Sequence, residues 1–176
     1  KRSVPLEKNG VAYVCFEQAK ALCERDKKRD DSEFRADASD PGTPVQSLIL
    51  GGSEPDDNFH RWTTRLQMNH FLHRGLRFIS TGEMRKTLLV TAILSEPALL
   101  ILDSPLDGLD HNSQEKMRTI IEELLLSNIT ILMLCRQMED VPTGVTHVLV
   151  LNQGEILACD TRDRIFADRS VQALMS

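Results

Sequence analysis

Two short stretches of this 176-residue chain hold the residue types and spacings that chemistry needs. The first is Ile79-Ser80-Thr81-Gly82-Glu83, at the mouth of a run whose apolar residues return at helical spacing. The S-x-x-E pattern is that of a capping box, in which Ser80 satisfies the Glu83 amide and the Glu83 carboxylate returns to the amide of Ser80. A helix start with a hydroxyl and a glycine is also an anion site, because unpaired amides and the helix dipole both favour phosphate. The second stretch is LLILDSPLDGLD, from Leu99 to Asp110. Its continuously apolar strand delivers Asp103 at the carboxyl end, where the residue either caps the following turn or offers a fixed carboxylate to a bound cation.

The elements that must hold these residues follow from the apolar pattern. VAYVCF (11–16) reads as a buried strand and 17–28 as a helix. Residues 27–52 break composition with mixed charges, SDPGTP and Gly51-Gly52, which predicts a loop carrying a short helix at 45–50. Phe59, Trp62, Leu66, Phe71 and Leu72 predict one or two helices over 59–76. After Gly82, a helix with Met84, Leu88, Leu89, Ala92 and Ile93 on one face runs until Pro97 stops it. Strand 98–102, helix 113–126 and strand 129–134 then form a βαβ unit with parallel pairing and a right-handed crossover. A hairpin turning at Asn152-Gln153-Gly154 and a helical tail from 161 complete the chain.

Composition narrows the classes of function. Apolar residues make up 41% and charged residues 27%, the balance of a globular domain. The net charge of −5 and the absence of a basic stripe argue against direct contact with nucleic acid or an anionic membrane. No apolar run is long enough to cross a bilayer and none resembles a secretion signal, so a cytoplasmic, intracellular chain is expected. Cys15, Cys23, Cys135 and Cys159 show no CxxC spacing and are expected as reduced, mostly buried thiols. His70 and His73 have the spacing of neighbours on a helix but lack a third ligand, so a solvated helix face is the expectation. The mixed charges from Glu24 to Asp31 read as an exposed helix end.

Taken in order and spacing, STGE, its helix, Pro97, LLILDSP and LDGLD resemble the signature, Walker B and D-loop segments of ABC-type (ATP-binding cassette) ATPases. STGEMRKTLLVTAILSEPALLILDSPLDGLD looks most like the first half of the tandem ATP-binding proteins of molybdate-transport or photorepair type. VAYVCFEQ and ITILMLCRQMEDVP are similar to that subgroup too. The resemblance implies ATP and Mg²⁺ as cofactors, with Asp103 holding Mg²⁺ through water. Ser80 and Gly82, within Ser80-Thr81-Gly82-Glu83, would contact the γ-phosphate of a nucleotide held by an opposing half, and Asp110 would lie on the dimer-facing D-loop. Gln18 falls at the Q-loop as a metal and nucleotide sensor; strict counting gives Phe16, whose phenyl ring cannot ligate a metal. The implied partners are a second half, in the same polypeptide or a homodimer, arranged head to tail, and a membrane permease subunit that would hold the protein peripherally at the membrane.

The departures matter equally. None of the nine glycines is followed by lysine, so the phosphate-cradling GxxxxGK[ST] loop is absent from this sequence. Ser104 stands where the family has the glutamate that polarises water, and serine is a poor base at neutral pH. Arg136 stands at the switch histidine and cannot exchange a proton there. The expected architecture is α/β: an N-terminally truncated P-loop-NTPase-like parallel-sheet core with a mainly helical signature subdomain. Its divisions are a residual core strand in 1–16, the helical subdomain in 17–97 with a loop-rich insertion at 27–58, and the core in 98–176. Function is expected as a transport-related ATP-binding half that does not hydrolyse ATP alone. The alternative is a degenerate interaction module that pairs with another half independently of nucleotide, and a DNA-repair ATPase of the same superfamily ranks below both.

Overall fold

The computed structural model describes residues 10–27 and 42–175. A three-stranded parallel sheet lies at its centre, built from β1 (Val11–Val14), β2 (Leu99–Asp103) and β3 (Thr130–Leu134) in the order β1-β2-β3. Tyr13 pairs in register with Ile101, Ile101 with Leu132, and Asp103 with Leu134. After β1 comes α1 (Phe16–Lys27), then α2 (Val45–Leu50), α3 (Asp57–Arg65) and α4 (Thr81–Leu94). α5 (His111–Leu125) crosses from β2 to β3. A separate antiparallel hairpin, β4 (His147–Asn152) with β5 (Glu155–Thr161), precedes two short helices, α6 (Arg162–Ala167) and α7 (Arg169–Met175).

Helix ends are set by local chemistry. Asp56 caps α3 by accepting from the Phe59 amide at 2.7 Å, and the Lys86 ammonium donates to the Leu66 carbonyl at the far end of that helix. Gly51 closes α2 in the left-handed region (φ 58), which glycine enters without a Cβ clash. α5 buries Met117, Ile120, Ile121 and Leu124, four of the residues its periodicity predicts.

Two expectations are corrected and one is narrowed. α4 is buried on more than one face, since Arg85, Thr87 and Val90 join the predicted stripe, and α1, α2, α3 and β1 all pack on it. A single helix, α3, forms in the 59–76 region: Gln67 takes a left-handed turn (φ 56), and Met68, Phe71 and Leu72 are buried by turns instead of by a helix face. His70 and His73 sit in those turns. The tail breaks at Asp168, whose carboxylate takes the Ser170 amide at 2.8 Å and starts α7. The charged and turn-rich segment 28–41 lies outside the described residues.

The sheet is covered on one face. Ala12, Leu100 and Leu102 join Leu89, Met117 and Ile121 in one core beneath α4 and α5. The opposite face carries Val11 (57% exposed), Tyr13 (41%), Leu132 (51%) and Leu134 (45%). Beyond β3 a trench of about 440 Å³ runs between β3 and β4, lined by Ile131–Leu134 on one side and His147–Leu151 on the other. Among the described residues, β3 pairs only with β2 and β4 only with β5. No helix among them is long and apolar enough to cross a membrane.

Candidate functional site

The two motifs meet where α4 touches the loop that leaves β2. The capping box forms as the S-x-x-E pattern predicts: the Glu83 N–H donates to Ser80 Oγ at 3.2 Å, and the Ser80 N–H donates to Glu83 Oε2 at 2.7 Å. His70 Nε2 and Arg74 lie 3.5 and 3.8 Å from Glu83 Oε1. Partial burial pushes the Glu83 carboxyl up, but the Ser80 amide and hydroxyl, with Arg74 and His70, hold it below its ordinary value. His70 therefore faces a carboxylate, and among the described residues no group of three or more His, Cys, Asp or Glu gathers as for a metal ion.

Ser80 and Thr81 are exposed at this helix end. A Cβ built on Gly82 would meet Leu109 Cδ2 at 3.6 Å, an ordinary contact, and its φ is not positive. The fold itself therefore does not demand glycine at this position. A small residue here keeps the first-turn amides open to an approaching anion.

Arg85 ties this helix to the second motif. Its buried guanidinium donates to the Pro105 carbonyl at 3.2 Å, and burial holds its pKa below the ordinary value against the opposing pull of Asp107. Arg85, Leu89, Asp103 and Ser104 line a cavity of about 20 Å³ at the end of β2, room for about one water. The chain leaves the strand through Ser104, which takes a left-handed φ of 47 and donates its amide to the Leu134 carbonyl at 3.0 Å. Asp103 is half-buried at the strand end: Tyr13 donates to its Oδ2 at 2.7 Å and the Ser104 hydroxyl to its Oδ1 at 3.2 Å. The bond to Asp103, then that to Cys15, pushes the Tyr13 phenol well above its usual range.

The remaining candidates divide. Asp110 caps α5, taking the Ser113 amide at 3.0 Å and the Ser113 hydroxyl at 2.6 Å, and lies on the surface; these bonds, the hydroxyl first, hold its carboxyl below the ordinary value. Arg136, just after β3, is exposed and reaches Asp107 at 3.4 Å. Gln18 falls in the first turn of α1, and its side chain lies outside the described residues. Sequence pattern does not single out Tyr13, Arg85 or Asp107. For Tyr13 the one available signal is a tyrosine in a strand, since its reach depends on the β1–β2 register. Cys15, Cys23 and Cys135 are half-buried and Cys159 is exposed, so the expected mostly buried set is not found.

By donor type, Asp103 is a hard oxygen ligand suited to a hydrated divalent cation, and the Ser80–Gly82 helix end suits a phosphate.

Comparison with known proteins bears on family and fold. The chain is 30% identical over 142 residues to the ABC transporter ATP-binding protein ModF of Escherichia coli, covering 80% of this chain and 29% of that protein. It is 32% identical over 100 residues to the energy-coupling factor transporter ATP-binding protein EcfA3 of Oenococcus oeni (57% and 35% covered). It is 27% identical over 165 residues to the molybdenum import ATP-binding protein ModC of Brucella abortus (93% and 42%). The chain thus spans less than half the length of each of these relatives. An ATP-binding cassette of an ABC transporter, solved in its ADP conformation, superposes with a TM-score of 0.66 at 17% identity, over 94% of this chain and 67% of that one, which shows the α/β cassette fold. The profile of the family described as ABC transporter matches residues 6–107, more than half of the sequence, and the chain belongs to that family as an ATP-binding cassette.

Proposed function

We propose that this chain forms part of an ATP-binding half of a transport-related ABC ATPase and lends its signature helix to ATP held across a head-to-tail pair of halves. The observation that carries the reading is the seating of the Ser80–Gly82 end of α4 against the loop that leaves Asp103, through Leu109 and the Arg85–Pro105 bond. In this reading the Ser80 hydroxyl and the first-turn amides of α4 donate to phosphate oxygens, and Gly82 keeps the approach open. Asp103 would hold the cation, and Mg²⁺ when bound would supply charge neutralisation at the phosphates. Ser104 takes no proton and Arg136 exchanges none, so the chain supplies binding geometry while hydrolysis depends on the other half.

The one-sided sheet supports a further part of the reading. A parallel sheet is stable with helices on both faces, and its connections cross over with one hand. A strand from polypeptide outside this sequence, set into the β3–β4 trench and followed by a helix over Val11, Tyr13, Leu132 and Leu134, would complete both. Its strand-to-helix loop would fall at the carboxyl ends of the strands beside Asp103, where the family's phosphate cradle belongs.

The test uses the complete natural polypeptide and Ser80→Phe. Sedimentation with Mg²⁺ and ATP is expected to show ATP-driven pairing in the wild type and its loss in the variant, with circular dichroism unchanged. Pairing that survives Ser80→Phe sinks the reading. The second reading, a nucleotide-indifferent interaction module that assembles with a membrane partner, draws on Ser104 and on the engagement of Arg136 with Asp107. It predicts equal pairing with and without nucleotide.

A further inference from the structure

Asp103 and Tyr13 share one face of the sheet. The register sets Tyr13 beside Ile101, two residues before Asp103 on the neighbouring strand, so the phenol reaches along that face to the carboxylate at 2.7 Å. Ser104 takes the other oxygen at 3.2 Å. Each oxygen of the carboxylate is thus already engaged by a hydroxyl donor from this chain. A carboxylate has about four acceptor sites, so neither bond saturates it, yet each withdraws electron density that a cation or its water would use.

We propose that Tyr13 is a positioning residue that latches the Asp103 carboxylate and competes for it with a divalent cation. The inference rests on the reading of Asp103 as the cation ligand. Tyr13 holds Oδ2 toward β1, and Asp103 would engage a cation only by giving up or sharing that bond. The latch raises the cation concentration the half needs, so Tyr13 sets a threshold for loading without touching phosphate. Ser104 matters less, because its bond is longer and comes from the adjacent residue of the same turn.

The test is done on the complete natural polypeptide without nucleotide, using Mn²⁺ as the probe and its paramagnetic resonance as the measure of free ion. Wild type, Tyr13→Phe and Asp103→Asn are compared. Tyr13→Phe keeps the ring and loses only the hydroxyl, and is expected to bind Mn²⁺ roughly tenfold more tightly, the order set by a hydrogen bond to a charged group that no longer has to be displaced. The double variant Tyr13→Phe/Asp103→Asn is expected to lose that gain. Tyr13 is the only tyrosine of this sequence, and the Raman difference between wild type and Tyr13→Phe isolates its phenol doublet. That doublet should show a strong donor in the wild type, a weaker one in Asp103→Asn, and a shift toward the latter as Mn²⁺ saturates the wild type. Equal or weaker Mn²⁺ binding by Tyr13→Phe, or no measurable binding by any variant, overturns the latch. If the complete polypeptide shows no ATP-driven pairing while Tyr13→Phe still tightens Mn²⁺ binding, the functional reading falls and the latch stands.

Discussion

The hydroxyl of Ser80 holds the start of α4 whether or not it ever meets a phosphate, and Ser80→Ala measures that share. The lost interaction is the bond from the Glu83 amide to Ser80 Oγ, at 3.2 Å near the long end of the hydrogen-bond range. The reciprocal bond from the Ser80 amide to Glu83 Oε2, at 2.7 Å, needs no side chain at position 80 and survives. One orphan amide out of the first turn is therefore exposed, which sets the loss at about 1 kcal/mol, the middle of the range for removing a serine N-cap. For a chain of this size that corresponds to a fall in Tm of about 2–4 °C. Trp62, the only tryptophan, lies on α3, which packs on α4, so its fluorescence in a urea titration follows the affected layer. Ser80→Ala should lower the midpoint with unchanged slope, and Ser80→Asn, an equally good cap, should stay within a few tenths of a kcal/mol of the wild type. A stable Ser80→Ala, or a Ser80→Asn as weak as the alanine variant, would refute the cap as the local reason for serine at this site.

Two more outcomes follow from the electrostatics. Glu83 is held below its ordinary value of 4.5, so its stabilisation is fully present above the unfolded value and is lost as pH falls through the folded one. Wild type should lose urea resistance below about pH 4.5 more steeply than Glu83→Gln, and identical acid limbs would contradict the assignment. Burial, then the Asp140 carboxylate, pushes the Cys135 thiol up to about 11, whereas Cys159 is exposed. Alkylation at pH 8 followed by peptide mass mapping should find Cys159 modified first and Cys135 last.

The parts of the fold that depend on neighbours along the chain are legible in the order of amino acids alone. Ser80 and Glu83 are three residues apart, so the capping box announces itself. Asp103 ends an apolar run, and α5 shows its stripe because only one side of it is covered. What cannot be read that way depends on distant partners. Tyr13 meets Asp103 across 90 residues of chain, and nothing local encodes the strand register that brings them together. α4 reads as amphipathic because threonine and arginine look solvent-facing, yet Thr87 is buried by donating its hydroxyl to the Glu83 carbonyl, and Arg85 by donating to Pro105. The apolar spacing after Leu66 mimics a helix because turns at Gln67 and 69–73 return Met68, Phe71 and Leu72 to the same core. At Asp168 a side chain competes with the helix for one amide and wins, an outcome that composition does not reveal.

The outer edge of β3 has a consequence of its own. Natural sheets protect an outermost strand with lysine, proline or a bulge, because its open amides and carbonyls invite another chain. The strand TILML has none of these guards, and β4 offers HVLVLN across the trench. Both strands carry the composition of interior strands while standing at margins. Left uncovered at high concentration, such a margin recruits the same margin of another molecule, and the chain's colloidal behaviour is then governed by how quickly that edge is occupied and not by the stability of its core. Negative charge elsewhere on the surface slows such encounters but does not remove the template.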